Sequence, residues 1–234
     1  MRQLGKIKCL ENSSFSESQG QGEPPNQTYV LLFHGYGADA YDLQALAEVM
    51  DPEQKLHWLF PQGILEVPIG PGWTGRAWWN LDMQALQEMA VRGTQREMGN
   101  EKPESLPKIR GLIFEMIAQL KVPWHQIVLG GFSQGAMLAT DIYLNAPETP
   151  KGLLILSGAL INKSEWQPLV SKRAGQKFFI SHGQNDAVLP HRGAQQLETL
   201  LTQGGMKGGL MSFQGGHEIP MPVVTRASEY LKSL

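Results

Sequence analysis

Residues 127–137 read Ile-Val-Leu-Gly-Gly-Phe-Ser-Gln-Gly-Ala-Met, and no other stretch narrows the possible folds so far. An apolar, β-branched run leads into glycine, and residues suited to a helix resume directly after Gly135. Between them, Gly131-x-Ser133-x-Gly135 sets two glycines symmetrically about a serine. That spacing predicts a tight strand-to-helix turn with the Ser133 hydroxyl at its apex. A side chain at either glycine would press on the adjoining strand or helix. The serine is expected in a strained backbone conformation, held by the packing on both sides. In a chain with 26 glycines the pattern alone is weak, so its surroundings must decide.

Those surroundings alternate. Residues 5–11 suit a short edge strand, and residues 12–27, rich in Ser, Gln, Gly and Pro, a loop or turn. Tyr29-Val-Leu-Leu-Phe-His34 shows no polar alternation, as expected of a strand covered on both faces of a parallel sheet. Asp42 suits the N-cap of a helix with Leu43, Leu46, Ala47 and Met50 inward, and residues 57–61 form the next strand. Residues 62–82, with three tryptophans and several glycines and prolines, read as a loop. Residues 83–104 form an excursion of uncertain extent near the site loops. Ser105 is expected to cap a helix over 106–120, with Ile109, Ile113, Met116 and Ile117 on one face. Strands over 126–130, 152–157, 177–182 and 208–213 then alternate with helices over 134–145, 163–170, 193–203 and 221–234. This pattern predicts an α/β fold: one domain over 1–234, with a doubly wound, mostly parallel sheet flanked by helices.

Composition removes several functions. A net charge of −2 with no long run of either sign argues against a nucleic-acid footprint or a polybasic membrane patch. Cys9 is the single cysteine, which excludes an internal disulfide and a cysteine-rich zinc site. The histidines form no H-E-x-x-H pattern, so no metal site is expected. Residues 1–22 hold no apolar signal core, and no apolar run nears the ~18 residues of a membrane span. A soluble, cytoplasmic protein is expected. Oligomeric state leaves no mark in the sequence, and a homodimer stays open.

A serine hydroxyl becomes a nucleophile only when a base takes its proton. In this architecture functional loops follow the carboxyl ends of strands. Of the aspartates after Ser133, Asp141 lies within the helix leaving the turn, where a surface position is expected. Asp186, in His182-Gly-Gln-Asn-Asp186, follows a strand end. Of the later histidines, His217 follows the last strand in a glycine-rich loop. Ser133, Asp186 and His217 therefore stand in the chain order Ser, Asp, His, with His217 as general base and Asp186 orienting it. His182 and His191 are expected to orient the acid loop, and His34 to pack or hydrogen-bond beneath the oxyanion loop. An oxyanion needs two N–H donors. Gln134 supplies one, at the start of a helix, and His34-Gly35-Tyr36-Gly37 supplies the other, best from Tyr36.

These residues resemble the phospholipase/carboxylesterase family, which includes acyl-protein thioesterases and small bacterial carboxylesterases. The resemblance rests on Leu32-Phe33-His34-Gly35-Tyr36-Gly37-Ala38-Asp39, Ala77-Trp78-Trp79-Asn80-Leu81, Gly131-Phe-Ser133-Gln-Gly135, His182-Gly-x-x-Asp186 and Gly216-His217-Glu-Ile, in that order. It implies an α/β-hydrolase fold without a large cap, no cofactor, and hydrolysis of a small or lipid-like acyl ester or thioester. By the same resemblance Ser133, Asp186 and His217 look like the triad, Tyr36 and Gln134 like the oxyanion donors, and Trp78 like the tryptophan beside the site. Asn80 departs from the family, which more often carries Asp there. Trp73, Trp79 and Met83 are further candidates for an acyl channel, or for simple packing. A lysophospholipid or peptide bond would suit the same triad, and a non-catalytic binding protein on this scaffold is the reading from another class.

Overall fold

A computed structural model of the protein describes residues 1–12, 27–82, 88 and 98–234. Along the chain come β1 (Arg2–Leu4), β2 (Ile7–Glu11), β3 (Thr28–Phe33), α1 (Gln44–Met50), β4 (Leu56–Pro61), β5 (Leu65–Gly70) and β6 (Trp73–Ala77). Then follow α2 (Leu106–Leu120), β7 (Ile127–Phe132), α3 (Gln134–Asn145), β8 (Gly152–Leu156) and α4 (Lys163–Val170). The last elements are β9 (Lys177–Gly183), α5 (His191–Gln203), β10 (Lys207–Phe213) and α6 (Met221–Lys232). The loop expected over 12–27, apart from its two end residues, and most of the helical excursion, with Met83, lie outside the described residues.

Eight strands form one sheet in the order β1-β2-β4-β3-β7-β8-β9-β10. β1 and β2 are antiparallel to their neighbours, and β4 through β10 are parallel. The predicted strand character has a direct cause. Tyr29, Leu31 and Phe33 point to one apolar layer and Val30 and Leu32 to the other. Ile127 and Leu129 against Val128, and Leu153 and Ile155 against Leu154 and Leu156, repeat that division. Helices α2 to α5 cover the first face; α1 and α6 cover the second. Each such side chain, fully buried, contributes roughly 1.5–3 kcal/mol. Among the described residues no helix is long and apolar enough to cross a membrane.

Chain direction makes the site. From β3 the chain moves to β4 on one side, and later places β7 against β3 on the other, with Phe33 opposite Gly131. The crevice beyond the carboxyl ends of β3 and β7 is the topological switch point of the sheet.

Three local expectations need correction. Residues 62–82 are not all loop: β5 and β6 pair antiparallel, with an irregularity between Pro68 and Gly70. The prolines and glycines that read as loop instead supply the bulge and the turn, where Gly72 has φ 75°. Neither Asp42 nor Ser105 caps a helix through its side chain; α1 starts one residue later than expected, and α2 starts with a proline in its first turn. Asp141 is wholly buried rather than on the surface. Its carboxylate takes two bonds from Arg110, at 2.7 and 3.1 Å, and one from Trp166 Nε1 at 2.9 Å. Arg110 also reaches Glu165 at 2.7 Å, and Glu165 meets Lys102 at 2.7 Å. Burial pushes Glu165 up, but the bonds from Lys102, Asn162 and Arg110 outweigh it and hold the carboxyl down to about 2. This network ties α2, α3 and α4 together.

The strand-to-helix turn depends on bare glycine. A Cβ on Gly135 would lie 2.0 Å from the Phe33 carbonyl oxygen, whereas one on Gly111, in α2, would meet nothing within 4 Å. Gly135→Ala is therefore expected to lose about 3 kcal/mol. Gly111→Ala should gain roughly 0.5–1 kcal/mol from helix propensity. Urea unfolding of the two variants side by side measures the contrast.

Candidate active site

Ser133 sits at the end of β7 with φ 54° and ψ −120°, outside the regions that L-residues favour. Its surroundings hold it there. Ser133 N–H donates to the Leu156 carbonyl at 2.9 Å, and its own carbonyl accepts from Ala136 and Met137 N–H at 3.0 and 3.2 Å. On the inner side, a Cβ on Gly131 would fall 2.4 Å from the Gly135 carbonyl carbon, so strand and helix touch backbone to backbone. Such strain persists only where the surroundings over-determine it. Ser133 keeps 9% of its surface.

Asp186 and His217 meet. His217 Nδ1 donates to Asp186 Oδ2 at 2.6 Å, a short charge-assisted bond. The other carboxylate oxygen accepts from Val188 and Leu189 N–H at 2.8 and 2.9 Å. His182 supports the same loop: Nε2 lies 2.8 Å from the Leu189 carbonyl and 3.2 Å from Asp186 Oδ2. Its ring meets His191 edge-on, while His191 Nε2 pairs with Ser212 Oγ on β10 at 2.8 Å, so His182 contacts the acid loop directly and His191 only through His182. Burial raises the Asp186 carboxyl, but the bonds from His182 and His217, the His217 charge and the Leu189 N–H together hold it far below the ordinary carboxylate range. Asn185 N–H donates to the Gly215 carbonyl at 3.0 Å, which joins the acid loop to the histidine loop. The His217 ring lies 4.8 Å from that of Phe132, the residue before Ser133. Glu218, the residue after His217, folds onto its own loop and accepts from Gly216 N–H at 3.1 Å.

The loop after β3 faces this group across the switch point. His34 is buried, and burial lowers its pKa against the opposing bond to Gly35. Its Nε2 accepts from Gly63 N–H at 2.9 Å, so Nδ1 carries the proton and donates to the Gly35 carbonyl at 2.7 Å. Gly37 N–H donates to Arg76 on β6, and Arg76 N–H returns a bond to Ala38, both at 2.8 Å. Among the described residues, neither Tyr36 N–H nor Gln134 N–H donates to a backbone carbonyl across these loops. Gln134 N–H is one of the first N–H groups of α3, which a helix cannot satisfy internally.

The tryptophans separate by role. Trp78 is fully buried, with Nε1 donating to the His34 carbonyl at 3.0 Å. Trp73, 72% exposed, stands near the tip of the β5–β6 hairpin. Trp79 borders a cleft of ≈ 420 Å³ whose walls include Leu81, Met98, Pro103 and Ile161. Asn80 lines the same cleft. The Gln134 side chain was not foreseen as a participant. Its Oε1 accepts from Trp78 N–H at 2.9 Å and its Nε2 donates to the Trp79 carbonyl at 2.8 Å. A polar side chain at the first position of the helix, followed by none from Gly135 to Ala139, was the available signal.

A depressed Asp186 carboxyl carries a pH signature. Between the native value and the ordinary value of 3.8, the unfolded chain binds the extra proton, so stability is present above that window and is lost as pH falls through it. Unfolding in guanidinium from pH 6 to pH 3 should show stability dropping below about pH 4. The drop should be shallower in Asp186→Asn.

A family model described as Phospholipase/Carboxylesterase matches residues 18–234. Acyl-protein thioesterase 1 of Eremothecium gossypii is 28% identical over 215 residues, covering 89% of this chain and 88% of that protein. Acyl-protein thioesterase 1 of Schizosaccharomyces pombe is 26% identical over 69% of each chain. Among solved structures, esterase PE8 superposes with a TM-score of 0.71 at 25% identity, covering 88% of this chain and 92% of that one. The carboxylesterase of Bacillus cereus gives 0.69 at 21% identity over 98% and 95%, a likeness of fold. The sheet order, the helices on both faces and the absence of a large cap among the described residues agree with these neighbours. The chain belongs to the phospholipase/carboxylesterase family of α/β-hydrolases.

Proposed function

We propose that this protein is a serine hydrolase that cleaves carboxylic esters or thioesters through an acyl-enzyme on Ser133. The observation that carries the reading is the 2.6 Å bond from His217 to Asp186, with the His217 ring 4.8 Å from that of Phe132, the residue before a serine held at φ 54°. In the first step His217 Nε2 takes the hydroxyl proton while Ser133 Oγ attacks the carbonyl carbon. The carbonyl oxygen becomes an oxyanion held by Tyr36 and Gln134 N–H, the second at a helix N-terminus whose dipole favours negative charge. Collapse expels the alcohol or thiol, which leaves with the proton from His217. Water then attacks the acyl-enzyme, gives its proton to His217, and the acid departs as Ser133 regains its hydrogen. Asp186 stays ionised throughout and stabilises the imidazolium.

The substrate is read from the cleft. Trp79, Leu81, Met98 and Ile161 give it an apolar side suited to an acyl chain, facing Asn80, Asp82, Glu101 and Lys102; Ser133 and His217 do not line it, and Trp79 connects it to Gln134, the residue after Ser133. The relatives named acyl-protein thioesterase 1 support the thioester over other bonds to an acyl group.

Hydrolysis of a chain-length series of paired esters and thioesters tests the reading through kcat/KM. Ser133→Ala and His217→Ala should each lower kcat roughly ten-thousand-fold or more, and the double variant should lose little further, because the residues act as a unit. A fluorophosphonate probe should label the wild type and leave Ser133→Ala unlabelled. Wild-type turnover by Ser133→Ala would overturn the proposal.

A further inference from the structure

We infer that the side chains of Gln134 and Trp78 are positioning residues that hold the two oxyanion donors, Tyr36 N–H and Gln134 N–H, in register. The inference rests on the function proposed above and concerns the two side chains, apart from the backbone N–H that Gln134 itself contributes.

The two donors lie on separate loops. Phe33 and Gly131 are the last paired residues of β3 and β7, and beyond them no backbone hydrogen bond among the described residues joins 34–37 to 133–135. Side chains make the connection instead. Gln134 projects a buried carboxamide whose oxygen and nitrogen bind Trp78 N–H and the Trp79 carbonyl, at 2.9 and 2.8 Å, much as a partner strand would. Trp78 passes the link on, its indole N–H donating to the His34 carbonyl at 3.0 Å. His34 then donates from Nδ1 to the Gly35 carbonyl at 2.7 Å. That last bond reaches the donor itself. The Gly35 carbonyl and the Tyr36 N–H belong to one planar trans peptide, so fixing one direction fixes the opposite one. Gln134 and Trp78 are fully buried and His34 nearly so, which keeps water from substituting for any of these bonds.

Loss of register is costly only when charge has developed on the carbonyl oxygen, so the effect falls on kcat rather than KM. Trp78→Phe removes the indole N–H and keeps a ring in place. Gln134→Met removes both carboxamide bonds and keeps the backbone donor. Turnover of a short p-nitrophenyl ester is measured per active site counted by fluorophosphonate titration, alongside affinity for an alkylboronic acid, whose tetrahedral adduct carries the oxyanion. Each variant should lose about ten-fold or more in kcat. KM should stay within about three-fold, and boronate affinity should fall in parallel with kcat. Wild-type kcat and boronate affinity in Trp78→Phe would overturn the inference, as would a change confined to KM. Ser133→Ala in the same assay keeps the two readings apart: if it retains turnover the proposed function fails, and if it is inactive the variants judge the register alone. Where Gln134→Met does not fold, Trp78→Phe with an unchanged melting curve decides.

Discussion

Everything in this molecule depends on a crossing where three pieces of backbone touch. The end of β7, the first turn of α3 and the end of β3 approach so closely that Gly131 and Gly135 have room for hydrogen alone. That contact forces Ser133 into its unfavourable conformation, and apolar burial on both faces of the sheet supplies the free energy that keeps it there. The strain also serves a purpose. A serine at φ 54° projects from the turn instead of folding into strand or helix, and the first N–H groups of α3 open beside it.

Much of this was legible in the chain. Unbroken apolar runs such as Tyr29–Phe33 announce a sheet covered on both sides, and a serine, an aspartate and a histidine after the ends of β7, β9 and β10 announce a shared edge. The missed features share a cause: they depend on partners distant in sequence. The β5–β6 hairpin hides behind Pro68, Gly70, Pro71 and Gly72, whose local preferences read as loop until the loop after β3 is there to pair with Arg76. Asp141 was assigned to the surface because charge is usually solvated. Yet it is the one charge in α3, whose apolar residues fall on every side, which is the mark of a buried helix whose charge must be paired. Arg110, 31 residues away, supplies that pairing.

Gln134 shows the same limit at the site itself. Its backbone role follows from its position after the serine, whereas its side-chain role follows from where Trp78 and Trp79 come to rest, more than 50 residues earlier in the chain. A carboxamide has equal donor and acceptor capacity and no charge to desolvate, so it can be buried fully with its bonds made. A carboxylate there would face the Trp79 carbonyl without a proton to offer. The residue type is thus constrained twice over, by the turn before it and by the loop it receives.

The strand order has a consequence for how the protein comes into being. β10, which carries the histidine loop, joins the edge of the sheet beyond β9, after every other strand of the described sheet has passed along the chain. That late pairing is nevertheless local, with Lys177 opposite Lys207, whereas β3 and β7 set Tyr29 opposite Ile127 and must close the longest loop among the described strand pairings. The acid loop and the histidine loop thus hang on a nearby closure, and the turn that strains Ser133 on a distant one. The same contact that holds the serine in its unfavourable conformation is the one the chain must wait longest to make.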